Sequence, residues 1–152
     1  MLNTLLIHPQ LLGALARAGH GSKILLSDGN FPHGTGAAPA AERIYLNLRP
    51  GLLTVDQVLG VLTSAVPLET AEVMTPPDGR EVPAIGGYRA TLAGLPFITH
   101  DRQEFYAAAR RLDVAIVVAT GDQRAYANLL LTIGVHSAGE LDEGAALEGP
   151  RK

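Results

Sequence analysis

The stretch Gly19-His20-Gly21-Ser22-Lys23-Ile24-Leu25-Leu26-Ser27-Asp28-Gly29-Asn30-Phe31-Pro32 organises the rest of the chain. Its apolar run Ile24-Leu25-Leu26 does not alternate and reads as a buried strand that ends at Ser27-Asp28, ahead of a Gly/Pro turn. A carboxylate in that place matters because ligands of open α/β sheets commonly bind beyond the carboxyl ends of the strands. Upstream, Pro9 to Ala18 reads as a helix, since Pro suits a helix start and Leu11, Leu12 and Leu15 recur at helical spacing; Gly19 closes it.

Downstream, Gly29 to Ala41 is rich in Gly, Pro and small residues and reads as a loop of the length that more often serves function than connection. Ile44-Tyr45-Leu46-Asn47-Leu48 alternates as a half-buried strand does. Thr54-Val55-Asp56-Gln57 has the form of a capping box and opens a helix whose apolar face is Val55, Val58, Leu59 and Leu62. Glu69 to Met74 is a further strand, Tyr88 to Ala93 a short helix between Gly86-Gly87 and Gly94, and Phe97-Ile98-Thr99 another strand. Asp101 and Glu104 repeat the capping-box spacing before a helix running from Phe105 through Leu112. Val114 to Ala119 is a continuous, largely β-branched run, which implies burial on both faces, and Leu129 to Ile133 closes the series as a last strand. Buried strands interleaved with helices define an α/β fold, a single compact domain over residues 1–135 with a mainly parallel central sheet flanked by helices. Residues 136–152, dominated by Ser, Gly, Glu and Pro, read as a flexible C-terminal tail.

Composition narrows the function. The chain has 152 residues, 47% hydrophobic and 18% charged, with a formal charge of -3 and no basic run, so nucleic acid is not an expected partner. It has no cysteine, which removes disulfides and thiolate metal sites. Met1-Leu2-Asn3-Thr4 lacks a basic n-region, and no apolar run approaches the ~20 residues of a membrane span. The expectation is therefore a cytoplasmic protein with no membrane partner.

The chain contains no Gly-x-x-x-x-Gly-Lys-Ser/Thr, Gly-x-Gly-x-x-Gly, His-Glu-x-x-His or Gly-x-Ser-x-Gly motif. His33-Gly34-Thr35-Gly36 is glycine-rich but too short to assert a phosphate cradle. The five histidines include no helical i, i+4 pair, so neither metal nor cofactor is expected. His20 and Asp28 suit proton chemistry, because an imidazole titrates near neutrality and a carboxylate can orient it. From spacing alone the plainer role for His20, at the helix C-terminus where a cation is favoured, is the preferred one. Tyr126 and Asn128, taken as part of an extended segment, would face one side and offer a phenol and an amide to a polyhydroxylated ligand.

Together, Gly19-His20, Asp28 eight residues after the His, Phe31-Pro32, and Thr120-Gly121-Asp122 followed by Tyr126-Ala127-Asn128 resemble the D-ribose pyranase and L-fucose mutarotase family of sugar-transport accessory proteins. The resemblance runs from Met1 to about Val135 and is loosest from Pro76 to Pro96. It implies an isomerase that interconverts anomeric or ring forms of a free monosaccharide, with no cofactor. It assigns His20 as the general acid and Asp28, Tyr126 and Asn128 as sugar-binding residues. Ribose-type members carry a His shortly before the Phe that begins the late helix, whereas fucose-type members have an Arg there, three residues before that Phe. This chain has Arg102 three residues before Phe105 and His100 five before it, so either can serve, and Arg102 with Phe31-Pro32 leans toward the fucose type. The resemblance also implies a ring-shaped homo-oligomer, often a decamer in the family. A sugar-binding or regulatory ring without turnover is the alternative.

Overall fold

The computed structural model describes residues 2–136, so the expected tail lies, from 137 on, outside the described residues. The elements in order are α1 (Pro9–Arg17), β1 (Lys23–Ser27), β2 (Glu42–Tyr45), α2 (Val55–Leu62), β3 (Leu68–Met74), α3 (Pro83–Thr91), β4 (Phe97–His100), α4 (Arg102–Ala109), β5 (Val114–Ala119) and β6 (Leu129–Ile133). The strands form one six-stranded sheet in the order β2-β5-β1-β6-β3-β4. β1 and β2 both run parallel to β5, and β3 runs parallel to β4. β6 alone runs against its neighbours, β1 and β3. The β5–β6 connection carries no helix, and a parallel return needs a crossover of roughly a dozen residues or more. The chain therefore re-enters the sheet reversed, which brings the start of β6 to the edge where β1 and β3 end.

Both faces of the sheet are covered, as the apolar runs require. Ile24, Leu26, Ile116, Val118, Leu129 and Leu131 pack with α1, α2 and α3 in one core. Leu25, Val117 and Leu130 point the other way, into a smaller core completed by Phe105, Ala108 and Ala109 of α4 and by the loop after β1. That loop is folded onto the sheet rather than waving above it: Phe31, Ala37 and Ala38 are buried, and the Arg43 guanidinium donates to the carbonyls of His33 (2.9 Å), Ala41 (2.7 Å) and Ala38 (3.2 Å).

Three elements differ from the sequence reading by more than a residue at one end, each for a local reason. β2 spans Glu42–Tyr45 rather than 44–48, because β5 ends at Ala119 and the Leu46 N–H to Ala119 carbonyl bond (2.8 Å) is the last rung available. α4 stops at Ala109, with Arg110 as its cap and Leu112 exposed. α3 starts at Pro83 and contains Gly86 and Gly87 instead of following them. The glycine at 87 is an accommodation to packing, since a Cβ there would lie 2.5 Å from Asp56 Oδ1 at the start of α2. Both capping boxes form as read, Thr54 with Gln57 and Asp101 with Glu104.

Candidate functional site

Asp28 leaves β1 at its carboxyl end, and Asn128 sits just before β6 returns beside it. The two buried side chains close on each other: the Asp28 N–H donates to Asn128 Oδ1 (2.9 Å), and Asn128 Nδ2 donates to Asp28 Oδ2 (2.9 Å). Asp28 Oδ1 accepts from the Asn30 N–H at 2.9 Å. Burial pushes the Asp28 carboxyl above the ordinary carboxylate value, aided by the nearby charge of Asp122 and opposed by backbone N–H groups of Asn30, Phe31 and Ala127.

A cavity of about 200 Å³ opens beside this pair. Met74, at the end of β3, and Phe31 give it an apolar wall, and Tyr126 reaches it from the β5–β6 connection. α4 contributes Arg102 and Tyr106, residues i and i+4 on one face, with the guanidinium 5.7 Å from the Tyr106 ring centre and that ring 5.2 Å from Phe31. The volume is below the ~300–1,000 Å³ of drug-sized sites, and a carboxylate, an amide, a phenol and a guanidinium line a small space with aromatic rings. Such a set suits a small ligand with hydroxyl groups on one side and carbon on the other.

Of the residues singled out in the sequence, Asp28, Arg102, Tyr126 and Asn128 thus line one cavity. The extended-segment argument for Tyr126 and Asn128 does not hold, because Tyr126 has φ 63°, in the left-handed region. His100 is turned aside: its Nε2 donates to Glu72 Oε2 at 2.7 Å, and the buried Glu72 also takes Lys23 Nζ at 2.6 Å. His20 lies at the other end of β1, beyond Lys23, where its Nε2 meets Glu69 Oε2 at 3.2 Å in an exposed pair. The length of β1 alone, about 13 Å at the usual strand rise, separates that end from Asp28.

Tyr106 and Met74 were missed by the sequence reading. Tyr106 had a legible signal, its i+4 relation to Arg102 on a capped helix; Met74 had only its place as the last strand residue. The Thr35 and Gly36 amides donate to the Pro32 carbonyl at 3.0 and 2.7 Å, so that pair of His33-Gly34-Thr35-Gly36 is not presented to an anion. A larger hollow of about 390 Å³ lies next to the cavity, against the turns 47–50 and 120–123. Its one buried carboxylate, Asp122, is fully engaged by Arg124 and the Val55 N–H, so the smaller cavity carries the chemistry.

Comparison with known proteins identifies the family and the fold. Residues 1–136 match the RbsD / FucU transport protein family. A D-ribose pyranase of Paracidovorax citrulli is 36% identical over 135 residues, covering 89% of this chain and 98% of the relative. A human fucose mutarotase is 35% identical over 144 residues, covering 86% and 90%. Among solved structures, the fucose mutarotase of Streptococcus pneumoniae in complex with L-fucose superposes with a TM-score of 0.77 at 26% identity, over 90% of this chain and 100% of that one.

Proposed function

Because the chain belongs to the RbsD / FucU transport protein family, we propose that it is a mutarotase or pyranase that interconverts anomeric or ring forms of a free monosaccharide. The observation that carries this reading is the convergence of Asp28, Arg102, Tyr126 and Asn128 on one small, partly aromatic cavity. These four side chains hold the sugar hydroxyls. Ring opening breaks the bond between the anomeric carbon and the ring oxygen, delivers a proton to that oxygen and removes one from the anomeric hydroxyl. Closure of the open-chain form on the other face, or through another hydroxyl, gives the second form. General acid–base help of ~10²- to 10⁴-fold is enough for a reaction that already proceeds unaided.

His20 is the proton donor in this reading. Its place at the far end of β1 keeps it from its own cavity, so in this reading it serves the cavity of another copy in a ring-shaped homo-oligomer acting in the cytoplasm. L-Fucose is favoured over D-ribose: Arg102 lines the cavity while His100 is held by Glu72, and Met74 with Phe31 offers carbon to the methyl group that fucose has and ribose lacks.

The same separation of His20 from Asp28 favours the second reading, a ring that binds sugar without turnover. Saturation-transfer NMR on L-fucose and D-ribose separates the two. The mutarotase accelerates exchange between sugar forms, and His20→Ala abolishes the acceleration with the fold intact. Sugar-dependent thermal stabilisation with an unchanged exchange rate would select the binding ring instead.

A further inference from the structure

The β5–β6 connection is pinned at three points to helices that never touch the cavity. Asp122, buried at the start of the connection, caps α2 by accepting the Val55 N–H on Oδ2 at 3.0 Å. Its Oδ1 accepts the Arg124 N–H and Nε, both at 3.0 Å, and its Oδ2 accepts Arg124 Nη2 at 2.6 Å. The same Nη2 donates to Asp56 in the first turn of α2. The third pin comes from α3, whose buried Tyr88 O–H donates to the Ala127 carbonyl at 2.7 Å. Gly87 allows α3 this approach to Asp56, as its missing Cβ requires.

Between the pins stands a two-residue arch, Ala125-Tyr126. Tyr126 is the one non-glycine residue with positive φ among those described, at 63°. Such a conformation is disfavoured for an L-residue with a large side chain and persists when its surroundings over-determine it. A planar guanidinium that reaches two carboxylates at once supplies that constraint in a way an ammonium point charge does not.

We infer that Arg124, gripped by Asp122 and Asp56, is a positioning residue for substrate: it acts through Tyr126 by holding the arch in the left-handed conformation that aims the phenol into the Asp28 cavity. The inference rests on the proposed sugar site, and Arg124 is not among the residues lining that cavity.

A double-mutant cycle tests it. Arg124→Lys keeps the charge and loses the fork. L-Fucose is titrated against the wild-type chain, Arg124→Lys, Tyr126→Ala and the double variant, with far-UV circular dichroism as the check on folding. The expected result is a folded Arg124→Lys protein whose fucose affinity falls about five- to tenfold, the worth of one hydrogen bond, with no further loss when Tyr126 is already Ala. Equal losses from Arg124→Lys in the presence and absence of Tyr126 would overturn the inference, as would no loss at all. The sugar-free protein gives an independent reading. By NMR, Arg124→Lys shifts or broadens the Tyr126 ring resonances while the β6 amides keep their positions, and unchanged Tyr126 resonances would sink the brace. If the wild-type chain binds no sugar, the functional reading fails, and this NMR comparison alone decides the brace. Should Arg124→Lys not fold, Asp56→Asn, which weakens one arm of the grip and leaves the Asp122 cap in place, is expected to give the same coupling.

Discussion

Asn128→Ala is the substitution whose consequence can be worked furthest from the structure. The side chain is 2% exposed and makes two bonds to one residue, accepting the Asp28 N–H and donating to the Asp28 carboxylate, each at 2.9 Å. Truncation leaves a buried N–H without a partner, costing ~1–3 kcal/mol, and removes a hydrogen bond to a charged group, worth ~1.5–3 kcal/mol. Water entering from the adjoining cavity recovers part of this, so the net loss is about 2–4 kcal/mol. For a domain of this size each kcal/mol moves the Tm by ~2–4 °C, giving a fall on the order of 4–16 °C. The loss is pH-dependent. Asp28 already titrates above its ordinary value, and the amide favours its ionised form, so the deficit is full above the folded-state pKa. It shrinks as pH falls through that value and the carboxyl becomes protonated. Thermal unfolding of both proteins across pH 4 to 8 measures this, the range bracketing the upper carboxylate region on the order set by reference values. A Tm within about 2 °C of wild type at neutral pH would refute the reasoning, since it would mean that the pair contributes less than one ordinary hydrogen bond.

Other expectations follow from the same contacts. A Cβ on Gly121 would run into the backbone carbonyls of Arg49 and Leu52, which cannot swing away, so Gly121→Ala is expected to destabilise by ~1–3 kcal/mol in a denaturant titration. Burial works against the ionised Asp122, but the hydrogen bonds from Arg124 and the Val55 and Arg124 amides outweigh it and hold its carboxyl below 3.8. Its stabilising contribution is thus present above the unfolded-state value and lost as pH falls through the folded one. The Tm gap between wild type and Asp122→Asn should accordingly be wide at neutral pH and close under strongly acid conditions. If ionised Asp28 receives the sugar hydroxyl, burial places the acid limb of the exchange rate against pH above the ordinary carboxylate value, and a limb at or below that value would show that Asp28 is not raised in the working site.

Local signals in the sequence carried far, and the failures share a cause. Two capping boxes, a proline at a helix start and a β-branched run are short-range chemistry, and the elements they mark all form, with α4 alone ending well short of its expected end. The direction of β6 and the order of the strands depend on contacts between residues distant in sequence, which no local pattern encodes. Gly86-Gly87 looked like a break because the reason for Gly87 lies on another helix, at Asp56. The gathering of Asp28, Arg102, Tyr126 and Asn128 was legible only through the family resemblance, since spacing alone left each with an ordinary structural explanation. The place of His20, by contrast, could have been read from the strand itself: residues on either side of a five-residue strand stand at opposite edges of a sheet. Nothing in the sequence marked Arg124 as a clamp, because its two carboxylate partners come from a turn and from a helix 68 positions away.

The central claim, that the cavity around Asp28 opens and closes a sugar ring, is tested most directly by NMR exchange measurements on L-fucose with the wild-type chain and with Asp28→Ala. The account predicts accelerated exchange between sugar forms with the wild type and none with the variant, while both give the same folded circular dichroism spectrum. Full acceleration by Asp28→Ala, or none by the wild type with either L-fucose or D-ribose, would contradict it.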